Sequence, residues 1–95
     1  MTYVELQAAL SVLGLGQRAG LKEIKAKHRE LVKRYHPDTG SGNSDKIREV
    51  NAAYRIIAEY VGSYSFSFAE EEFYEQNPDE RLMRQFMDDA LWGKG

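Results

Sequence analysis

The sequence predicts an all-α fold, and three observations predict it. Apolar residues recur at steps of three and four in three successive segments, the spacing of a buried helical stripe. Each segment opens on a capping residue or closes on glycine or proline, as helices do. The seams of the second and third segments also match, so each offers the other an apolar face.

Leu6, Ala9, Leu10 and Leu13 make the stripe of a short first helix. Thr2 is positioned to cap it, with Glu5 completing a capping box, and Gly14 and Gly16 end it. The second helix is expected from about Leu21 to Tyr35. Its residues Leu21, Ile24, His28, Leu31, Val32 and Tyr35 fall on one side at ~100° per residue. It must stop near Tyr35, because the Pro37 ring clashes with the amide and Cβ of His36 and drives that residue out of the helical region. A loop of Gly, Ser and Asn over 39–44 follows, too short to be a domain linker.

The third helix is expected over Ser44–Tyr60, capped by Ser44 or Asn43, with Asp45 where the helix dipole favours an acid. Ile47, Val50, Tyr54, Ile57 and Val61 form its seam. The simplest packing is an antiparallel pair of long helices with His36-Pro37-Asp38 and the loop at an exposed tip, the first helix lying across the pair.

After Gly62 the texture becomes acidic and aromatic. Ser67-Phe-Ala-Glu70 reads as a capping box opening a short helix. Asn77-Pro78-Asp79-Glu80 is a stronger start signal, with Leu82, Met83, Phe86, Met87 and Ala90 as the expected buried face. Phe66, Phe68, Phe73 and Trp92 are too many large apolar groups for a wholly solvated tail. The expectation is therefore a domain over residues 1–61 and a helical extension over 62–95 packed on it. Two sharper readings of the extension stand beside core completion. Glu70, Glu71, Glu72 and Glu75 would cover basic residues of the domain, or Trp92 and its neighbours would hold a client polypeptide or a specific partner.

A chain of 95 residues supports a modest core without staples. The absence of cysteine excludes disulfides and thiolate metal sites and fits a reducing compartment. No apolar run approaches the roughly 20 residues that span a bilayer, and the N-terminus lacks a cleavable signal pattern. A soluble, cytoplasmic monomer is expected. The net charge of −2 divides unevenly: residues 1–61 carry ten basic and seven acidic residues, and residues 62–95 carry three basic and eight acidic. The front is net +3 and the extension net −5, so each end attracts a different partner or the two attract each other.

A helix stop needs no particular residue before proline, so His36 and Asp38 ask for a separate reason. Lys22, Lys25, Arg29 and Lys33 follow one another at steps of three, four and four and lie within about 80° of each other on the second helix. Like charges so spaced repel by about 0.2–0.5 kcal/mol per pair, so stability alone would interleave acids. Glu23 and Glu30 both lie off the stripe. A basic rod thus leads, with Arg34 at its end, to the His36-Pro37-Asp38 tripeptide.

LSVLGL, then LKEIKAKHRELVKRYHPD, then KIREVNAAYRII together resemble the J-domain of DnaJ-like co-chaperones over residues 3–61. The resemblance implies a helical fold whose second and third helices pair antiparallel. It implies binding to the ATP-bound state of a DnaK-type chaperone and stimulation of its ATP hydrolysis, coupled to client capture. The partner-binding residues it implies are His36, Pro37 and Asp38 at the tip and Lys22, Lys25, Arg29, Lys33 and Arg34 on the basic helix. It implies no cofactor, no metal and no catalytic residue. The sequence departs from the family at His28, where a tyrosine is usual, and at Leu10. The family's basic fourth helix is replaced by the acidic extension, so the sequence reads as a bare J-domain with an unusual tail.

Other chemistries fit less well. His36 and Asp38 resemble two members of a catalytic triad, but no GxSxG, cysteine nucleophile or second acid pair accompanies them. His28 and His36 lack the spacing of a metal site. His28 reads as a partly buried residue in an aromatic slot. Nucleic-acid binding through the basic helix is the alternative function. It is opposed by the net negative charge and the missing base-reading residues.

Overall fold

The structure is a computed structural model that describes residues 1–38 and 42–92, with side chains described through Asp88. The described residues form helices α1 (Tyr3–Leu13), α2 (Leu21–Tyr35), α3 (Ser44–Gly62), α4 (Glu70–Gln76) and α5 (Pro78–Trp92). The fold is all-α, as expected. It divides into two compact units, Met1–Tyr64 and Ser65–Gly95. No helix among the described residues is long and apolar enough to cross a membrane.

In the first unit, the Thr2 hydroxyl accepts from the Glu5 amide at 3.1 Å and caps α1. At the other end Gly14 takes φ 69°, a left-handed conformation that suits glycine. Its amide donates to Ser11 O at 3.1 Å while the Leu15 amide donates to Leu10 O at 2.9 Å. These two bonds make a Schellman cap, which folds the residue after the glycine back onto the helix. Leu15 is thereby buried, a core position that the connector-like GLG stretch did not reveal.

The core comprises Ala9, Leu13, Leu15, Ile24, Val50, Ala53 and Ile57, one cluster from α1, α2, α3 and the first connection. Leu31, Val32, Tyr54 and Val61 pack against it. Leu21, expected in the α2 seam, is exposed. As the first helical residue it projects its side chain past the helix end, because Cβ bonds tilt toward the N-terminus. Helix α3 runs two residues beyond the expected end at Tyr60. The Ser63 hydroxyl donates to the carbonyls of Glu59 (3.0 Å) and Tyr60 (3.2 Å), satisfying groups that a helix end leaves open. Tyr64 then packs edge-on against Tyr60 at the end of the first unit.

The contacts between α2 and α3 fix their antiparallel sense. Tyr35 O accepts from the Asn43 amide at 2.9 Å, where α3 begins. A stretch back along α2, His28 stacks on Tyr54, which lies further on in α3, with ring centroids 4.0 Å apart. The turn between the helices is held from both sides. His36 ends α2 in an extended conformation (φ −61°, ψ 139°), as Pro37 requires. The Asn43 side chain caps α3 by accepting from the Lys46 amide at 3.0 Å. Gly42 lies so close that a Cβ there would sit 2.6 Å from His36 O and 2.7 Å from Pro37 Cα.

In the second unit, the expected Ser67 capping box does not form. Ala69 is the N-cap of α4, and the Ser67 hydroxyl instead accepts from the Ala69 amide at 3.3 Å. Asn77 joins the two helices: its amide and its side-chain NH2 both donate to Phe73 O (2.9 and 2.8 Å), and its own carbonyl accepts from Glu80 N. Arg84 of α5 donates to the Glu70 carboxylate at 2.6 Å and to the Tyr74 hydroxyl at 3.1 Å, both on α4. The Tyr74 hydroxyl first, and the Glu70 carboxylate second, hold the Arg84 guanidinium above its ordinary pKa range. Arg81 pairs with Glu75 at 3.8 Å.

These bonds turn the polar side of α5 toward α4. Leu82, Met83, Phe86 and Met87, expected to be buried, are exposed, as are Phe66, Phe68 and Phe73. The side chains of Ala90 and Trp92 lie outside the described residues.

Two stability outcomes are expected. Ile57→Ala empties a position that is 2% exposed and lowers the unfolding free energy in urea by about 2–5 kcal/mol. Gly42→Ala forces a methyl into backbone and lowers it by about 1–3 kcal/mol, with amide resonance shifts concentrated at residues 36–38.

Candidate functional site

Helix α2 places Lys22, Lys25, Arg29 and Lys33 on its exposed side, in one row. Among the described residues, no ion pair engages any of these four. The acid on this helix that does form pairs, Glu30, sits 3.9 Å from Lys27 and 3.4 Å from Arg34. Arg34 is therefore exposed like the stripe but, unlike it, paired with an acid. These exposed pairs contribute little to stability. What the arrangement leaves is an uncompensated row of cations.

Beside the row lies a shallow depression with His28, Val32 and Tyr54 at its floor and Lys25, Arg29 and Lys33 around it. His28 occupies the aromatic slot predicted for it, lying nearly parallel to Tyr54 at 13°. Its Nε2 is 2.9 Å from Asn51 Oδ1. An amide oxygen only accepts, so this bond puts the His28 proton on Nε2. The role of Asn51 in orienting that ring was not read from the sequence. A clue lies in the spacing: Asn51 and Tyr54 are three apart on α3 and share a face.

The row leads to His36, Pro37 and Asp38, all exposed. The Asp38 amide donates to His36 Nδ1 at 3.1 Å. Nδ1 must then present its lone pair, which leaves the neutral ring's proton on Nε2. The Asp38 carboxylate is 91% exposed and lies 3.6 Å from the same Nδ1. Tip and row are thus continuous, both on the α2–turn–α3 hairpin. Gly42 and Asn43 hold the tip from below, and sequence reasoning did not single out Gly42. Nothing in the GSG spacing singles it out; its approach to the Pro37 backbone does.

The eight residues predicted for partner binding therefore share one hairpin. The chemistry that this surface offers is recognition: cations for an acidic surface, and a carboxylate for charge-assisted hydrogen bonds. Among the described residues, no group of three His, Asp or Glu side chains is placed to hold a metal ion.

Comparison with known proteins places relatives beside this chain. The family described as DnaJ domain matches residues 9–60. The chaperone protein DnaJ of Finegoldia magna is 39% identical over 51 residues, covering 50% of this chain and 14% of its own length. DnaJ of a Synechococcus strain is 40% identical over 50 residues, covering 50% of this chain and 13% of its own length. The DnaJ-like protein MG002 homolog of Mycoplasma pneumoniae is 33% identical over 84 residues, covering 82% of this chain and 27% of that protein. That last span is too long to be confined to the first unit. No solved structure matches the chain significantly. The chain spans only 13–27% of the length of these relatives. On the match over residues 9–60, the chain belongs to the DnaJ-domain family.

Proposed function

We propose that this chain is a co-chaperone module that docks on a DnaK-type, ATP-driven chaperone and stimulates its ATP hydrolysis. One observation carries the reading: an uncompensated row of cations on α2 ends at an exposed His36-Pro37-Asp38 tip braced by Gly42 and Asn43. The row faces an acidic surface of the partner. Its charges act mainly on encounter rate and orientation, because rim charges steer more than they bind. The tip makes the contacts that decide turnover. Asp38 accepts from an arginine of the partner in a charge-assisted bond. The His36 imidazole, oriented by the Asp38 amide at Nδ1, packs beside it. Pro37 and the bracing backbone hold the tip in one conformation, so less entropy is lost on docking. The module acts in a cytoplasmic setting, as a monomer.

The test is steady-state ATP hydrolysis by a DnaK-type chaperone with increasing amounts of the full chain. Wild type is expected to raise the rate in a dose-dependent way. Asp38→Asn and His36→Gln, both at exposed positions, keep the fold and remove the stimulation, a loss on the order of 2–5 kcal/mol for Asp38. Arg29→Glu raises the concentration needed for half the effect, more strongly at low salt than at high. A flat dose response for wild type contradicts the reading. Duplex DNA separates the alternative: binding that weakens steeply with salt and is unchanged by Asp38→Asn favours phosphate contact through α2.

A further inference from the structure

The second unit is assembled with its polar side inward. On α5, Arg81, Arg84 and Asp88 cluster on one side at ~100° per residue, while Leu82, Met83, Phe86 and Met87 occupy an arc of about 140° centred nearly opposite. The arginines bind Glu70, Tyr74 and Glu75 of α4. The apolar arc is consequently turned away from α4, with Leu82 65% and Phe86 68% exposed. A contiguous apolar stripe left in solvent on a folded element marks an interaction surface. Its makeup of two methionines with phenylalanine and leucine suits the packing of varied apolar side chains.

Charge identifies the occupant. Residues 65–95 carry eight acids against three basic residues. The two arginines are already engaged by Glu70, Glu75 and Asp88. Among the described residues, no ion pair neutralises Glu71, Glu72, Asp79 or Glu80, and the last two stand at the N-terminal end of the apolar arc. A second copy of this unit would bring the same negative charge and be repelled. Anionic lipid headgroups would be repelled as well, since interfacial helices that bind them carry Lys and Arg on the polar face. A segment that satisfies both the stripe and its rim is apolar on one side and cationic on the other.

We infer that the exposed stripe of α5 is a docking site for a cationic amphipathic helical segment of a partner polypeptide, separate from the α2 surface. The packing is helix against helix, with apolar side chains at steps of three and four as anchors.

The test uses the full chain and two labelled synthetic helical peptides of about five turns. They share one apolar face, and one bears lysines where the other bears glutamates. The cationic peptide is expected to bind in fluorescence anisotropy, to weaken by about tenfold or more from low to high salt, and to shift resonances within residues 73–88. The anionic peptide is expected not to bind. Phe86→Ala with Met87→Ala, at exposed positions, reduces affinity by about tenfold or more with helical content by circular dichroism unchanged. Asp79→Lys with Glu80→Lys reverses the preference between the peptides. Equal binding of both peptides, no binding of the cationic one, or shifts confined to residues 1–64 would overturn the inference. So would concentration-dependent self-association or anionic-vesicle binding abolished by the Phe86 and Met87 changes, or solvent protection of those residues in the free chain.

Discussion

The contact between Gly42 and the His36–Pro37 backbone is the constraint on which the candidate site depends. Proline ends α2 by making its predecessor non-helical, but that alone leaves a turn with many conformations. The backbone of residue 42 lies so near His36 O and Pro37 Cα that only glycine fits. The Asn43 amide bonded to Tyr35 O at 2.9 Å then ties the start of α3 to the end of α2. Between these two restraints, the Asp38 amide donates to His36 Nδ1 and orients the His36 ring. A side chain that must enter a partner's pocket gains affinity from such restriction, because ordering has been done before binding.

The electrostatics of the hairpin make sense in the same terms. A helix chosen for stability would spread its acids among its lysines. Here Glu30 serves Lys27 and Arg34, on the side away from the row, and among the described residues no ion pair engages the row. The repulsion this creates is small beside the helix-packing energy of Ile24, Val50 and Ile57 in the core. The fold therefore tolerates a charged edge on α2. In the second unit the distribution is the reverse: the polar groups are consumed in holding α4 to α5, and the apolar groups are left outside.

Much of this was legible in the chain. The three-four spacing located α1, α2 and α3, and the proline rule placed the end of α2 at Tyr35, because both depend on local sterics. Lys22, Lys25, Arg29 and Lys33 share an exposed side of α2 for the same reason: spacing on a helix dictates which side they share. The features that were not legible depend on tertiary approach. Leu15 entered the core through a Schellman cap, Gly42 was fixed by a neighbour five residues earlier, and Asn51 became the partner of His28 by antiparallel register. The extension was misjudged where periodicity was taken to mean burial. The spacing of Leu82, Met83, Phe86 and Met87 correctly gave one face, but Arg84 decided which face met α4.

The central claim is that the α2 row and the tip form one docking surface on the hairpin. Amide chemical-shift mapping of the full chain, titrated with a DnaK-type chaperone held in its ATP-bound state, tests it most directly. The account predicts broadening or shifts along residues 22–33 of the exposed α2 side and at His36 and Asp38, with the Ala9, Leu13 and Leu15 region unmoved. Perturbations that spare both α2 and the tip, or an unchanged spectrum at saturating chaperone, would contradict it.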